Sequence, residues 1–251
     1  FSAAGLAVGQ SLALLFAYAW LCRRFPFDRE QFWSSPLSRD DVSQFWRVSL
    51  ISAFNSGVSQ AFTLLGTMFI GILMADELAV SSYRVATTIP FALLFFPSAI
   101  VTYIYPHFVR HKDERSWSLR NYGLVTLGTG ALMMGLTLAF VLFAQPIVVL
   151  VFGEQYLDAV PIMQIVMVGF FITATFRTPA GNLLVTQRKL IANTVIGIVM
   201  IVVCIMGSYA LIPRFGMIGA AVVYDLCMAV GAVLSCLVYL KTIADLPDQN
   251  Q

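Results

Sequence analysis

The sequence predicts an all-α integral membrane protein. Three observations carry this. Hydrophobic residues make up 59% of the chain and charged residues 11%, against roughly 25% charged in a soluble domain. The apolar residues gather into runs long enough to cross a bilayer, the clearest from 85 to 107, which holds no Asp, Glu, Lys or Arg. At about 1.5 Å per residue, roughly 20 such residues cross a hydrocarbon core of about 30 Å. Finally, Lys and Arg sit almost entirely in alternate connections between the runs. A net charge of +2, with no basic surface interleaved with aromatics, gives no ground for nucleic-acid binding.

Seven spans follow in order. Phe1–Leu21 is apolar with Trp20 at its end, and starts at Phe1 with no basic leader. The chain therefore reads as the later part of a longer protein. Residues 22–47 are a polar segment broken by Pro26 and Pro36, with Trp33 and Trp46 suited to an interface. Ser38, three residues before Asp41, is placed to cap the helix entering the second span, Val48–Met74. That span is unusually polar. Asn55, Ser59 and Ser52 share a helical face, with Gln60 beside them. Such a face either packs closely against other helices or lines a wet cavity.

A short acidic loop with Asp76 and Glu77 leads to the third span, 78–112, interrupted by Pro90, Pro97 and Pro106. Each proline removes a backbone donor and bends the helix. A basic loop over 107–120 precedes the fourth span, Tyr122–Phe143. Pro146 starts a short interfacial helix that Gly153 stops. The fifth span, Val160–Val185, contains Arg177, Pro179 and Asn182. The sixth is Leu190–Ile212. Pro213–Gly216 is a tight turn, and the seventh, Met217–Leu240, carries Asp225 before a polar tail over 241–251.

One side of this arrangement receives 12 loop Lys and Arg residues and the other only Arg214. The positive-inside rule makes the basic side cytoplasmic, with the C-terminus inside.

No HExxH, P-loop, GxGxxG or nucleophile-elbow motif occurs, so the sequence is not expected to be an enzyme. His107 and His111 lie four apart at the basic edge with few carboxylates nearby, and read as a solvated pair rather than a metal site. Cys22, Cys204, Cys227 and Cys236 form no CxxC and read as packing residues, so no metal or other cofactor is expected. What remains is charge inside spans: Arg84, Arg177 and Asp225. Each costs roughly 2.5–3.5 kcal/mol at mid-helix and should face protein or water. Arg177 and Asp225 lie at similar depth, which permits a structural ion pair. Arg84, near a span end, can snorkel. The functional alternative is that Arg84 and Arg177 line a cavity for an anionic substrate, since guanidinium matches phosphate oxygens and stays charged. Asn55, Gln60 and Asn182 would then meet sugar hydroxyls. Asp225 would serve as counter-ion or coupling-ion site.

Four stretches taken in order carry a resemblance: SSYRVATTIPFALLFFPSAIVTYIYPHFVR, QPIVVLVFGEQYLDAVPIMQIV, GNLLVTQRK and RFGMIGAAVVY. Together they resemble the later half of polysaccharide flippases, the Wzx-like members of the MATE-like multidrug/oligosaccharidyl-lipid/polysaccharide exporter superfamily. The resemblance implies two six-helix bundles opening alternately to each side. On that map residues 1–21 are helix six, 22–47 the cytoplasmic link between lobes, 48–240 a six-helix lobe and 241–251 a cytoplasmic tail. It implies translocation, in the inner membrane, of an undecaprenyl-pyrophosphate-linked oligosaccharide for O-antigen or lipopolysaccharide synthesis, with polymerase machinery as a partner. One departure stands out: where relatives often carry an acidic residue midway along helix seven, this chain has Leu65, Gly66 and Thr67. A multidrug exporter of the same fold, a membrane-embedded polymerase and a non-transporting remnant are the competing readings. Two intramembrane arginines against one aspartate favour an anionic substrate.

Overall fold

A computed structural model describes residues 3–24, 38–111, 113–187 and 189–246. The expectations for Pro26, Trp33, Pro36 and the end of the tail fall outside them.

 The side chains of Asn55 and Gln60 are likewise outside the description. The chain divides into two units, Phe1–Val48 and Ser49–Gln251. In the first unit α1 spans Ala3–Arg24 and ends on Arg23 and Arg24, where cations favour the negative helix terminus.

In the second unit every described element is helical: the molecule is an all-α integral membrane protein. The remaining helices are α2 (Arg39–Met74), α3 (Glu77–Leu93), α4 (Phe95–Arg110), α5 (Arg115–Leu142), α6 (Ala144–Phe152), α7 (Ala159–Ile172), α8 (Thr178–Thr186) and α9 (Leu190–Ala244). α2 starts well before the second span, as the Ser38 signal suggested; the backbone N–H of Val42 donates to Ser38 O. Asp76 caps α3, accepting from the Leu78 N–H at 2.9 Å.

The proline-rich third span is two helices, with the break at Leu94. Pro97 explains the position: its ring collides with the carbonyl four residues back, at Leu93, where α3 ends. Pro90 and Pro106 are absorbed within α3 and α4. The short helix before Gly153 is present as α6, and Gly153 stops it at φ 98°, a conformation open to glycine.

α9 is 55 residues long, about 80 Å if straight, far more than a bilayer. It is broken at Gly216, which has φ 58° and ψ −135°. A Cβ on Gly219 would lie 2.5 Å from Leu211 O, and one on Gly207 would lie 3.1 Å from the Val223 side chain. Residues 219 and 211, and 223 and 207, therefore face each other, so the arms 190–215 and 217–244 form an antiparallel hairpin. The expected turn at Pro213–Gly216 is this hairpin's tip.

The other contacts give several of these helices a direction. Gln164 Nε2 donates to Val141 O at 3.1 Å, and Thr175 abuts Gly130, so α5 runs opposite to the α7–α8 segment. Asp225 meets Gly169, and Cys236 meets Phe176, so α7–α8 and the second arm run parallel. Phe69 packs on Tyr209 and Val58 on Gly197, so α2 and the first arm run parallel. Among these segments, from α5 onward, the direction therefore alternates along the chain. The α7–α8 segment is the most enclosed span, with Met163, Met167 and Phe170 fully buried. Outward-facing Phe95, Leu142 and Leu150 are exposed, as lipid contact requires and water would penalise.

Candidate functional site

The α7–α8 segment is not a regular helix. Between α7 and α8, Thr173–Arg177 forms one π turn, with the Thr178 N–H donating to Thr173 O. Pro179 accounts for it. Proline lacks the donor, and its ring crowds the carbonyl four residues back, at Thr175, so the ladder widens by one residue. A proline inside a predicted span was the sequence signal for this turn; its type was not legible.

The π turn delivers Arg177 into the bundle. Its Nε donates to Met200 Sδ at 3.2 Å, and a Cβ on Gly231 would sit 3.0 Å from that nitrogen. The guanidinium thus threads between the two arms of α9, and only glycine at 231 leaves it room. On the second arm Ser235 lies one helical turn beyond Gly231 on the same face, whereas Thr175, two residues before Arg177, faces α5 at Gly130. Thr175 Oγ1, Ser235 Oγ and, further along the arm, Tyr239 OH are buried with no hydrogen-bond partner among the described residues. Buried hydroxyls are normally satisfied by protein or water, so Ser235 Oγ leaves a polar position one turn from the Arg177 contact at Gly231.

The Arg177–Asp225 ion pair that similar depth allowed is not formed. Asp225 Oδ1 instead accepts from the Gly169 N–H at 3.0 Å. Arg177 approaches Gly231, six residues further along the same arm, about 9 Å of helix. The axial offset is the reason: Gly169, level with Asp225, lies eight residues before Arg177 in a parallel span, about 12 Å of helix, so Arg177 meets the second arm further along.

Asp225 sits in a notch, because any side chain on Gly169 would strike its Oδ1 and the Tyr224 ring. Beside Tyr224 is a cavity of about 20 Å³, room for one water molecule. Gly66, Thr67, Tyr83, Thr87, Ser208 and Tyr224 are among its lining residues. Gly66 and Thr67 thus contribute space and a hydroxyl to it.

The other expected site residues are dispersed. Arg84 is exposed, and its carbonyl accepts from Thr88 Oγ1 at 2.6 Å. Asn182 is exposed and donates to Thr178 O at 2.8 Å, a bond within its own helix. Asn55 and Gln60 lie outside the described side chains. His111 stacks on Trp117 with ring centroids 4.3 Å apart, and its Nδ1 lies 3.0 Å from His107 O. Cys204 and Cys227 are buried free thiols in hydrogen-bond contact across the α9 hairpin. Among the described residues no group of three His, Cys, Asp or Glu is placed to hold a metal.

The chain is similar to a Klebsiella pneumoniae protein described as "Uncharacterized membrane protein in cps region", 25% identical over 198 residues. The similarity covers 78% of this chain and 39% of that protein, so the chain spans about two fifths of its relative's length. No family model matches, and no solved structure matches.

Proposed function

We propose that the protein belongs to a MATE-like flippase of the inner membrane. Its activity would be to translocate lipid-linked oligosaccharide repeat units, carried on undecaprenyl pyrophosphate, by alternating access for surface polysaccharide synthesis. The carrying observation is Arg177: an intramembrane cation with no carboxylate partner among the described residues, set on a π turn and abutting Gly231, one helical turn from the buried Ser235 hydroxyl. A guanidinium so placed favours a phosphate-bearing occupant. The cps-region relative supports a place in capsule-type polysaccharide synthesis. The bias of loop Lys and Arg supports a cytoplasmic C-terminus. Arg84, exposed toward the opposite end of the bundle, would meet the head group at a different stage from Arg177.

The test is made in cells, on the natural gene. Arg177→Gln and Arg84→Gln are expected to accumulate undecaprenyl-pyrophosphate-linked repeat units and to lose surface glycan. Arg177→Lys keeps charge without the planar fork and should rescue only in part. Unchanged lipid pools in both Gln variants would remove the arginines from the site. Unchanged pools with new sensitivity to cationic drugs on gene deletion would favour the exporter.

A further inference from the structure

Asp225 is the carboxylate within the described spans that is held by one backbone amide and by no cation. Gly169 makes this contact possible by lacking a Cβ. The amide belongs to α7 and the carboxylate to the second arm of α9, so the bond ties two parallel spans together at mid-membrane. A charged carboxylate accepts such a bond about twice as strongly as a neutral group. Tyr224, next in sequence, lines the water-sized cavity together with Tyr83, Thr87 and Ser208.

We propose that Asp225 and the Gly169 amide form a proton-operated latch between α7 and the second arm of α9, with the hydroxyl-lined cavity beside Tyr224 holding the water that delivers and removes the proton. On protonation an O–H bond forms on the carboxyl while one breaks on hydronium, leaving water; release runs in reverse. The charged state holds the two spans together and the neutral state loosens them. The titratable groups around Asp225 do not compete over the relevant range. Tyr83 from α3, Cys204 from the first arm, and Tyr224 and Cys227 on its own arm are phenols and thiols that ordinarily ionise above about pH 8. Arg177, on the neighbouring π turn, stays charged throughout. Phe91, packed on Tyr224 with centroids 5.7 Å apart, closes the α3 side without charge.

The latch stands apart from the flipping reading, which supplies only its use, and its test reads no transport. Amide hydrogen exchange is followed in the reconstituted protein for the peptide around Gly169, at several pH values, corrected for intrinsic exchange. Protection is expected to fall as pH falls. In Asp225→Asn the side-chain oxygen still accepts the amide but cannot titrate, so the pH dependence should be lost. Gly169→Ala should reduce protection at every pH by expelling the carboxylate. A flat profile in the natural protein overturns the proposal, as does an unchanged pH dependence in Asp225→Asn. Both outcomes can be read even where Gly169→Ala fails to fold, and neither touches the role of Arg177.

Discussion

Replacing Arg177 by Met separates a structural arginine from a functional one. Arg177 makes a hydrogen bond to a thioether, Met200 Sδ at 3.2 Å, and sulfur is a weak acceptor. A cation at mid-span costs roughly 2.5–3.5 kcal/mol on insertion scales. Arg177 is only partly enclosed, so that figure is discounted to about 1–2 kcal/mol, and the lost bond returns less than about 1 kcal/mol. Methionine is flexible enough to fill the slot between Met200 and Gly231. Arg177→Met is therefore expected to leave the protein at least as stable, by up to about 1 kcal/mol, while losing flipping. Thermal unfolding of the purified, reconstituted protein measures the first, and lipid-linked oligosaccharide in cells the second. A clear loss of stability would refute the reasoning, because it would mean the guanidinium holds the bundle together.

Three other outcomes follow from the packing. Gly219→Ala drives a Cβ to 2.5 Å from Leu211 O; backbone cannot yield as a side chain can, so a loss of about 1–3 kcal/mol is expected in thermal unfolding. A membrane-permeant oxidant should close a disulfide between Cys204 and Cys227, seen as two fewer alkylatable thiols by mass; full alkylation after oxidation would contradict the hairpin register. Pro97→Ala restores a donor and removes the clash at Leu93, so the break at Leu94 should heal and protection of amides 94–98 should rise.

The legible part of the fold was the part set by local chemistry. Apolar length gave the spans, Asp76 and Gly153 gave ends, and Pro213–Gly216 gave the hairpin tip, because a terminus or turn depends on a few adjacent residues. Pro97 announced a bend but not its place, since the clash acts four residues upstream at Leu93. The candidate site was legible only as a set of costly residue types. Arg177, Arg84 and Asp225 stood out because lipid penalises charge wherever it falls along a span.

The sequence by itself determined that this is a multi-pass helical membrane protein and which of its residues the bilayer would not tolerate, because burial in hydrocarbon is a matter of composition along a line. Which residues meet was decided only by tertiary structure. Depth counted from opposite ends of the two spans paired Arg177 with Asp225, but their parallel packing sets Gly169 level with Asp225 and carries Arg177 eight residues further, to Met200 and Gly231. The absence of a side chain at Gly169 then gave Asp225 a backbone partner instead. Both depend on how closely two helices approach and at what rotation, and those quantities are fixed by packing across the bundle rather than by neighbours in the chain.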